Sequence, residues 1–343
     1  MVKLIRHLLF PFSLLYGLIT LARNVLFDFS VLKSSSFDIP TILVGNLSAG
    51  GTGKTPHVEY LIQLLKDNHK IATLSRGYGR KSNGFVLADQ NSTAQDIGDE
   101  PLQFFHKFPE ITVAVDAKRV QGIIELMSQN NPPEVILLDD AFQHRALSAG
   151  FSILLTDVNS LFYNDFMLPT GNLREFSRGK NRADAIVVTK CSSDLTIAEK
   201  KQIELKINTP DIPVFFSQID YSVPVPLNIP ASTSWGSAKR IVLVTGIANP
   251  APLLKYLTKF EKEIVHLKYP DHHSFTEKNI RDMRERVEEK EGSILLTTEK
   301  DAMRLKGIEK LSMMPLFYLP ITIQFQEKEE EFITLIKDYV ANN

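Results

Sequence analysis

The chain has 343 residues, of which 43% are hydrophobic and 23% charged, and its formal net charge is −1. A chain of this length can form two α/β domains or one large one, and the near-zero charge excludes a global basic field for nucleic acid. The single cysteine, Cys191, excludes an internal disulfide, and no Cys/His cluster has zinc spacing. We therefore expect a protein of a reducing compartment.

An apolar run occupies residues 8–22 and is flanked by Lys3, Arg6 and Arg23. As a helix it would extend roughly 22 Å, which is short of the ~30 Å hydrocarbon core of a bilayer. Three interpretations are open: a helix at the membrane interface, a buried core helix, and a true span or signal peptide. The interfacial helix is favoured because the flanking cations suit anionic headgroups.

Short runs rich in β-branched residues alternate with helical patterns over residues 41–207. Strands are expected at 41–44, 70–74, 112–115, 135–138, 151–155 and 185–189. Helices are expected at 56–66, 101–107, 117–128 and 196–207. This alternation predicts an α/β fold with a mostly parallel sheet covered on both faces.

A proline-rich interval with Pro213, Pro224, Pro226 and Pro230 indicates a domain junction. The α/β pattern then restarts, with strands expected at 241–245 and 293–296 and helices at 251–260, 276–290 and 329–340. The sequence thus predicts an interfacial helix over 1–30, a first α/β domain over 31–225 and a smaller α/β domain over 226–343.

A glycine-rich segment follows the first predicted strand and opens the first predicted helix of that domain, which is the setting of a P-loop. Glycine backbones can face phosphates, and the helix N-terminus adds partial positive charge. Lys54 supplies a full charge, the Thr55 hydroxyl can ligate Mg²⁺, and Ser48 stands where a glycine is usual. The segment comprises Ser48, Ala49, Gly50, Gly51, Thr52, Gly53, Lys54 and Thr55. It predicts ATP binding and therefore argues against secretion.

The predicted strand at 135–138 ends in Asp139 and Asp140, the position of a Walker B carboxylate that holds Mg²⁺ directly or through water. A guanine-specific P-loop protein would need an aspartate two residues after Lys190, and this chain has Ser192 there. The pair of motifs therefore predicts an ATP-dependent, magnesium-dependent phosphotransferase.

Four further clusters could serve phosphoryl transfer, which requires charge neutralisation and a group that takes the acceptor's proton. Asp99 and Glu100 begin a predicted helix, where they act in catalysis or merely cap it. Arg174 lies in a loop and either clamps phosphate or is a solvated charge. His272 precedes a helix and is a catalytic group or part of a cap, and the basic loop at Arg76 receives an anionic substrate or is a solvated turn.

Seven motifs, taken in this order, resemble those of the tetraacyldisaccharide 4′-kinases, the lipid A 4′-kinases of Gram-negative bacteria. They are Gly-Asn-Leu-Ser-Ala-Gly-Gly-Thr-Gly-Lys-Thr-Pro at 45–56, Ser-Arg-Gly-Tyr-Gly-Arg at 75–80, Gly-Asp-Glu-Pro at 98–101, Leu-Asp-Asp-Ala-Phe-Gln-His-Arg at 138–145, Gly-Asn-Leu-Arg-Glu at 171–175, Pro-Asp-His-His-Ser-Phe at 270–275 and Thr-Thr-Glu-Lys-Asp at 297–301. The resemblance extends from the N-terminus to about residue 305.

The resemblance implies a peripheral kinase on the cytoplasmic face of the bacterial inner membrane. It would move the γ-phosphate of ATP to the 4′-hydroxyl of a tetraacylated glucosamine disaccharide 1-phosphate. Neither nucleic acid nor a stable protein partner is expected. Asp99 would be the base, assisted by His272 from the smaller domain, which would contribute to the catalytic cleft. Spacing alone leaves these two residues tied for that role.

The resemblance also implies the remaining roles. Lys54 and Arg174 would bind the transferring phosphate. Mg²⁺ would be organised by Thr55, Asp139 and Asp140, with Glu100 as a further contributor. The lipid substrate and the reacting phosphate would be approached by Arg76, Gly77, Tyr78, Arg119, Gln143 and Asn172.

Two other classes of protein are compatible with a P-loop. A membrane-associated switch ATPase would use the nucleotide to control a partner, but many such proteins place a second lysine early in the loop, where Ala49 stands here. A soluble small-molecule kinase would leave the N-terminal apolar run without a purpose. An acylated substrate explains that run, because leaving the bilayer exposes acyl chains at ~0.8 kcal/mol per CH₂.

Overall fold

The computed structural model describes residue 6 and residues 8–228 and 234–343. They form two compact units: the first contains the described residues up to Ile219 together with Ile323–Asn343, and the second is Asp220–Thr322. Lys3 and Pro230, which the sequence analysis singled out, lie outside the described residues.

The strands and helices are numbered in chain order. The strands are β1 (Thr41–Asn46), β2 (Ile71–Ser75), β3 (Val86–Leu87), β4 (Thr112–Val115), β5 (Val135–Asp139), β6 (Phe151–Asp157), β7 (Ala185–Thr189), β8 (Val214–Tyr221), β9 (Val225–Asn228), β10 (Arg240–Thr245), β11 (Glu263–Lys268), β12 (Ser293–Thr298), β13 (Leu316–Leu319) and β14 (Ile321–Phe325). The α-helices are α1 (Phe10–Asp28), α2 (Lys54–Leu65), α3 (Ala94–Ile97), α4 (Asp99–Lys107), α5 (Arg119–Met127), α6 (Ile197–Ile207), α7 (Ala251–Leu257), α8 (Glu277–Glu288), α9 (Glu299–Leu305) and α10 (Glu329–Ala341). Short 3₁₀ turns occupy Phe162–Asn164, Ser177–Arg182, Thr258–Phe260 and Glu309–Leu311.

The first unit is built on a nine-stranded sheet in the order β14-β8-β7-β6-β1-β5-β2-β4-β3. The strands from β8 to β4 in this order pair in parallel, and the short β3 is antiparallel to β4. Strands β1, β2, β5 and β7 are buried along their whole length, as a sheet covered on both faces requires. The predicted fold, a mostly parallel P-loop-type sheet, is confirmed.

Strand β1 lies between β5 and β6, and its register pairs Val44 with Asp139. Because parallel strands end at the same edge of the sheet, the segment after β1 and the aspartates at the end of β5 come together there. This topology places the P-loop beside the Walker B carboxylates.

The second unit has a five-stranded sheet in the order β11-β10-β12-β13-β9. Its strands pair in parallel except β9, which is antiparallel to β13. The helix α8 buries Ile280, Met283 and Val287, whose spacing of three and four residues is that of one helix face.

The prediction that the smaller domain runs to residue 343 is wrong for the C-terminal segment, because β14 joins the nine-stranded sheet and α10 packs in the first unit. Phe332, Ile336 and Val340 of α10 are buried in the same cluster as Val58 and Phe215. Local sequence pattern identifies such a helix but does not show which core covers its apolar face.

The N-terminal helix α1 packs against the rest of the first unit through its small and polar residues. Ser13 and Gly17 are its buried members, and the Ser13 hydroxyl donates to Thr170 Oγ1 at 2.7 Å. Large apolar side chains such as Leu15, Leu18 and Ile19 are exposed. The interpretation of this segment as a buried core helix is therefore wrong. By length and composition α1 is long and apolar enough to cross a membrane.

Candidate active site

The P-loop has the backbone conformation that its glycines permit. Gly53 caps α2 with φ 90°, and Gly50 has φ 121°, both of which are unfavourable for other residues. A Cβ atom built on Gly50 or Gly51 would meet no atom within 4 Å. The loop therefore presents its backbone to open space at the start of a helix, where phosphate oxygens can approach N–H groups.

Three polar side chains donate hydrogen bonds to the P-loop residues Gly51 and Thr52. Asn46, at the end of β1, donates to Thr52 Oγ1 at 2.9 Å. The Thr189 hydroxyl donates to the Thr52 carbonyl at 2.8 Å, and the Lys190 ammonium donates to the Gly51 carbonyl. The loop is thus fixed from the ends of two strands of the same sheet, β1 and β7, before any ligand binds.

The Gly-Asn-Leu-Arg-Glu segment runs alongside the P-loop. The Ala49 N–H donates to the Asn172 carbonyl at 2.6 Å, and the Arg174 N–H donates to the Leu47 carbonyl at 2.8 Å. An antiparallel bridge joins Ser48 and Leu173. These backbone bonds determine where the Arg174 side chain stands relative to the loop.

Two cations converge on Asp140. Arg174 Nη1 lies 3.1 Å and Lys54 Nζ lies 3.6 Å from Asp140 Oδ1, and Arg174 Nη1 also lies 3.4 Å from Gln143 Oε1. Burial acts to raise the pKa of Asp140, but Lys54 and Arg174 outweigh it and hold that pKa below its usual value. Asp140 is therefore an anion that keeps the two phosphate-binding cations close together.

Asp139 is buried beside this cluster and differs electrostatically from its neighbour. Burial raises the pKa of Asp139 to about 7; the negative charges of Asp140 and Glu100 add to this effect, and Lys54 opposes it. Its Oδ1 is buried and accepts no hydrogen bond from the residues that the structure describes. A carboxylate oxygen in this state fits a divalent cation, whose charge would replace the missing donor.

The described residues contain no group of three or more His, Cys, Asp or Glu side chains arranged around a metal. Mg²⁺ usually takes one or two carboxylates and completes its coordination with water and substrate phosphates. Thr55 lies in the first turn of α2, next to Lys54. A threonine hydroxyl and carboxylates are the kinds of donor that Mg²⁺ uses with nucleotides, and the assignment of Thr55, Asp139 and Asp140 to one metal site stays a prediction.

Arg119 is only 2% exposed and binds backbone carbonyls. Its Nη1 donates to the Asp116 carbonyl at 2.8 Å and its Nη2 to the Asp139 carbonyl at 3.3 Å. Burial lowers the pKa of this guanidinium to about 10, and Asp139 opposes that effect. Such contacts favour a role in holding the end of β5. The expectation that Arg119 faces the lipid stays a prediction.

The start of α4 and the loop at 76–78 lie against each other. A Cβ on Gly98 would come within 3.1 Å of the Tyr78 carbonyl, and one on Gly77 within 2.8 Å of the Ile97 carbonyl, so both positions need glycine for the close approach. Asp99 is buried at the first position of α4, and Arg76 and Tyr78 are exposed. The structure thus groups the Asp99 motif with the basic, aromatic loop.

His272 belongs to the second unit, whereas Asp99 belongs to the first. It follows β11 in the left-handed conformation with φ 57°, and its N–H donates to the Gly246 carbonyl at 3.1 Å. Arg304 Nη2 lies 3.1 Å from its Nδ1, and Lys300 Nζ lies 3.0 Å from its Nε2. The functional pairing of Asp99 with His272 stays a prediction.

With this geometry in view, the chain can be compared with known proteins. A family model described as tetraacyldisaccharide-1-P 4′-kinase matches residues 5–341. The chain belongs to this family. It is 49% identical to a tetraacyldisaccharide 4′-kinase of Flavobacterium johnsoniae, with 99% of each chain covered. It is 45% identical to one of Bacteroides thetaiotaomicron, with 98% of this chain and 93% of the relative covered.

Among solved structures, the chain is similar to LpxK from Aquifex aeolicus, determined in complex with ATP. The TM-score is 0.78 at 31% identity, and 98% of this chain and 99% of that one are covered. The predicted family and kinase activity are confirmed, and the alternative of a switch ATPase is not supported.

Sequence reasoning missed several supporting residues. Glu175 is buried and accepts hydrogen bonds from Gln143 at 3.0 Å, Arg182 at 2.9 Å and Asn24 of α1 at 2.9 Å. It stood in a quoted motif without a role, and so did Asn46. The sequence alone gives Lys190 no role other than its place in the motif for guanine specificity. For Asn46 the available signal was a polar residue at the end of an otherwise apolar strand.

Proposed function

We propose that this chain transfers the γ-phosphate of magnesium-bound ATP to the 4′-hydroxyl of a tetraacylated glucosamine disaccharide 1-phosphate, the reaction that lipid A biosynthesis requires. The observation that carries the proposal is the convergence of Lys54 and Arg174 on Asp140, beside the buried Asp139, in a chain of this family. A P-loop lysine and an arginine held together in this way suit a phosphoryl group whose charge must be neutralised in transfer.

In this proposal the loop from Ser48 to Thr55 binds the ATP phosphates. Thr55, Asp139 and Asp140 hold Mg²⁺, and Glu100 contributes from the start of α4. When bound, the metal supplies positive charge to the phosphate oxygens. Before phosphate binds, Asp140 also prevents Lys54 and Arg174 from pairing with other anions, because both cations already contact it.

Asp99 takes the proton of the 4′-hydroxyl as that oxygen attacks the γ-phosphorus, and the bond to the β-phosphate oxygen breaks to release ADP. His272 of the second unit assists Asp99. A general base must reach the proton that it removes.

The acceptor side is proposed to comprise the loop of Arg76, Gly77 and Tyr78, in which the side chains of Arg76 and Tyr78 are exposed, with Gln143 near the reacting phosphate. Asn172 contributes through the loop that it shares with Arg174. Its side-chain oxygen accepts from Arg6 at 3.0 Å and its amide donates to Asp165 at 3.0 Å. Asn172 therefore contacts both Arg6 and Ala49 of the P-loop.

We further propose that α1 holds the enzyme on the cytoplasmic face of the inner membrane. Its polar side is bonded to the first unit: Tyr16 donates to the Arg174 carbonyl at 3.0 Å, and Asn24 binds Glu175. The opposite side exposes an apolar surface that includes Phe12, Leu15 and Ile19. Arg6, expected to face headgroups, contacts the carbonyls of Pro169 and Gly171 instead.

Membrane binding can be tested by replacing Leu15, Leu18 and Ile19, which are 57% to 61% exposed, with Gln. Each large apolar side chain contributes ~1.5–3 kcal/mol when fully buried, so partial insertion of three should make the variant partition to anionic vesicles about 100-fold more weakly. The matched control replaces Ile197 and Leu205 of α6 with Gln; they are also large and apolar, and they are 79% and 70% exposed. Equal sedimentation of both variants with vesicles would exclude α1 as the anchor.

Phosphate transfer is tested with γ-labelled ATP and the disaccharide lipid in mixed micelles. Lys54→Ala and Asp139→Ala should each lower turnover by orders of magnitude while circular dichroism stays unchanged, since each removes charge that stabilises the transferring group. Near wild-type turnover in either variant would overturn the assignment of the site.

A further inference from the structure

Apart from the contact of Lys300 with His272, the Thr-Thr-Glu-Lys-Asp segment at the end of β12 has no role in the site described so far. Its Asp301 is fully buried, accepts from the Gly246 N–H at 2.8 Å and from the Thr298 hydroxyl at 2.7 Å, and pairs with Arg304 at 3.3 Å. A buried carboxylate with three donors is a fixed anchor for a guanidinium.

Arg304 connects this anchor to the Asp-His-His segment. Its side chain is 10% exposed, and Nη2 lies 3.1 Å from His272 Nδ1 while Nη1 donates to the His273 carbonyl at 3.4 Å. The His272 N–H in turn donates to the Gly246 carbonyl. Asp301, Arg304, His272 and Gly246 therefore form a closed ring of polar contacts within the second unit.

The contact with Arg304 determines which imidazole nitrogen can carry the proton. A guanidinium only donates hydrogen bonds, so Nδ1 must accept, and a neutral imidazole then carries its proton on Nε2. Lys300 places a second donor 3.0 Å from Nε2. A neutral ring has a single accepting nitrogen, and it can satisfy only one of these two cations.

Arg304 is the more firmly positioned of the two donors to the His272 imidazole. Its guanidinium is fixed by Asp301 and by the His273 carbonyl, whereas an ammonium on a flexible four-carbon stem can move away. We propose that the Asp301–Arg304 pair positions His272 as the neutral tautomer with its proton on Nε2, and that the Lys300 ammonium withdraws when Nε2–H meets an acceptor. Arg304 is a positioning residue, and its relevance to catalysis rests on the proposed role of His272.

The tautomer can be measured directly by ¹⁵N NMR of the full-length protein labelled at histidine, with the His272 signals identified by their loss in His272→Gln. The wild type and Lys300→Met should both show the proton on Nε2. Arg304→Met, which removes the donor, should lose that preference, and Arg304→Gln, which keeps an amide donor, should retain it. A wild-type proton on Nδ1, shifted by Lys300→Met instead, would overturn the proposal.

Kinetics provide a second readout. Arg304→Met should lower kcat about tenfold, as expected for one hydrogen bond from a charged donor, with little change in KM for ATP, and Arg304→Gln should recover most of the loss. Equal loss in both variants would contradict a donor role. Should Arg304→Met fail to fold, the spectra of the wild type and Lys300→Met still decide. The spectra do not depend on kinase activity, so failure of the tautomer and failure of the proposed function are distinguishable.

Discussion

Replacing Asp139 with Asn should stabilise the metal-free protein at pH 8 while it abolishes transfer. Burial raises the pKa of this carboxyl from 3.8 to about 7. The folded state therefore binds more protons than the unfolded state between these values, and the unfolding free energy falls as pH rises through this window. At pH 8 the full cost of the buried charge, roughly 4 kcal/mol, is present.

Asn removes the charge and brings a buried amide whose unpaired groups cost ~1–3 kcal/mol. A net gain of about 2 kcal/mol remains, which corresponds to a rise of roughly 4–8 °C in Tm for a unit of this size. Calorimetry in EDTA at pH 8 and pH 4 measures it. The gain should disappear at pH 4, where the wild-type carboxyl is largely protonated when folded.

Asp140→Asn is the matched control, and its sign is opposite. Lys54 and Arg174 hold the pKa of Asp140 below its usual value, so this carboxylate stabilises the fold above the unfolded pKa and loses that effect as pH falls. Asp140→Asn should therefore lower Tm at pH 8. If Asp139→Asn also lowered Tm at pH 8, the account of Asp139 as an uncompensated buried charge kept for metal binding would be refuted.

Three further outcomes are expected. Asp99→Ala and His272→Ala should be non-additive in kcat if the two act as one unit; multiplicative losses would separate their roles. His57 is buried, with Nδ1 at 2.7 Å from the Gly53 carbonyl, and burial lowers its pKa to about 4. Below pH 6.5 the His57 side chain is protonated in the unfolded chain but stays neutral in the folded chain. The free energy of unfolding of the wild type should therefore fall by up to about 3 kcal/mol relative to that of His57→Asn as pH falls towards 4, as measured by denaturant titration. Parallel pH curves for the two proteins would contradict this. Mg²⁺ should bind more tightly from pH 6 to pH 8 as Asp139 ionises, with protons released on binding in calorimetry; a pH-independent affinity would contradict the assignment.

The parallel core of the first unit could be predicted because each strand is a short β-branched run, and β4 and β7 match their expected bounds at 112–115 and 185–189. Strand β8 was missed, since its second half alternates around polar residues and it follows the proline-rich start of the domain junction. The return of β14 and α10 to the first sheet depends on a non-local pairing that no periodicity encodes.

The candidate site could be predicted as a set of residue types but not as an arrangement. The P-loop and the aspartate pair follow from local pattern, because both lie directly after buried strands. The contact of Arg174 with Asp140 could not be predicted, because it depends on the backbone hydrogen bond between Arg174 and Leu47. The burial of Arg119 could not be predicted either, because it depends on how α5 packs. Side-chain contacts of this kind join positions far apart in the chain.

The central claim is most directly tested by the product of the reaction. Purified protein is incubated with Mg²⁺, ATP and tetraacylated disaccharide 1-phosphate, and the lipid is examined by mass spectrometry and by ³¹P–¹H NMR. We expect one added phosphate per lipid, attached at the 4′-oxygen and absent with Lys54→Ala. ATP hydrolysis without a phosphorylated lipid, or phosphate at another hydroxyl, would contradict it.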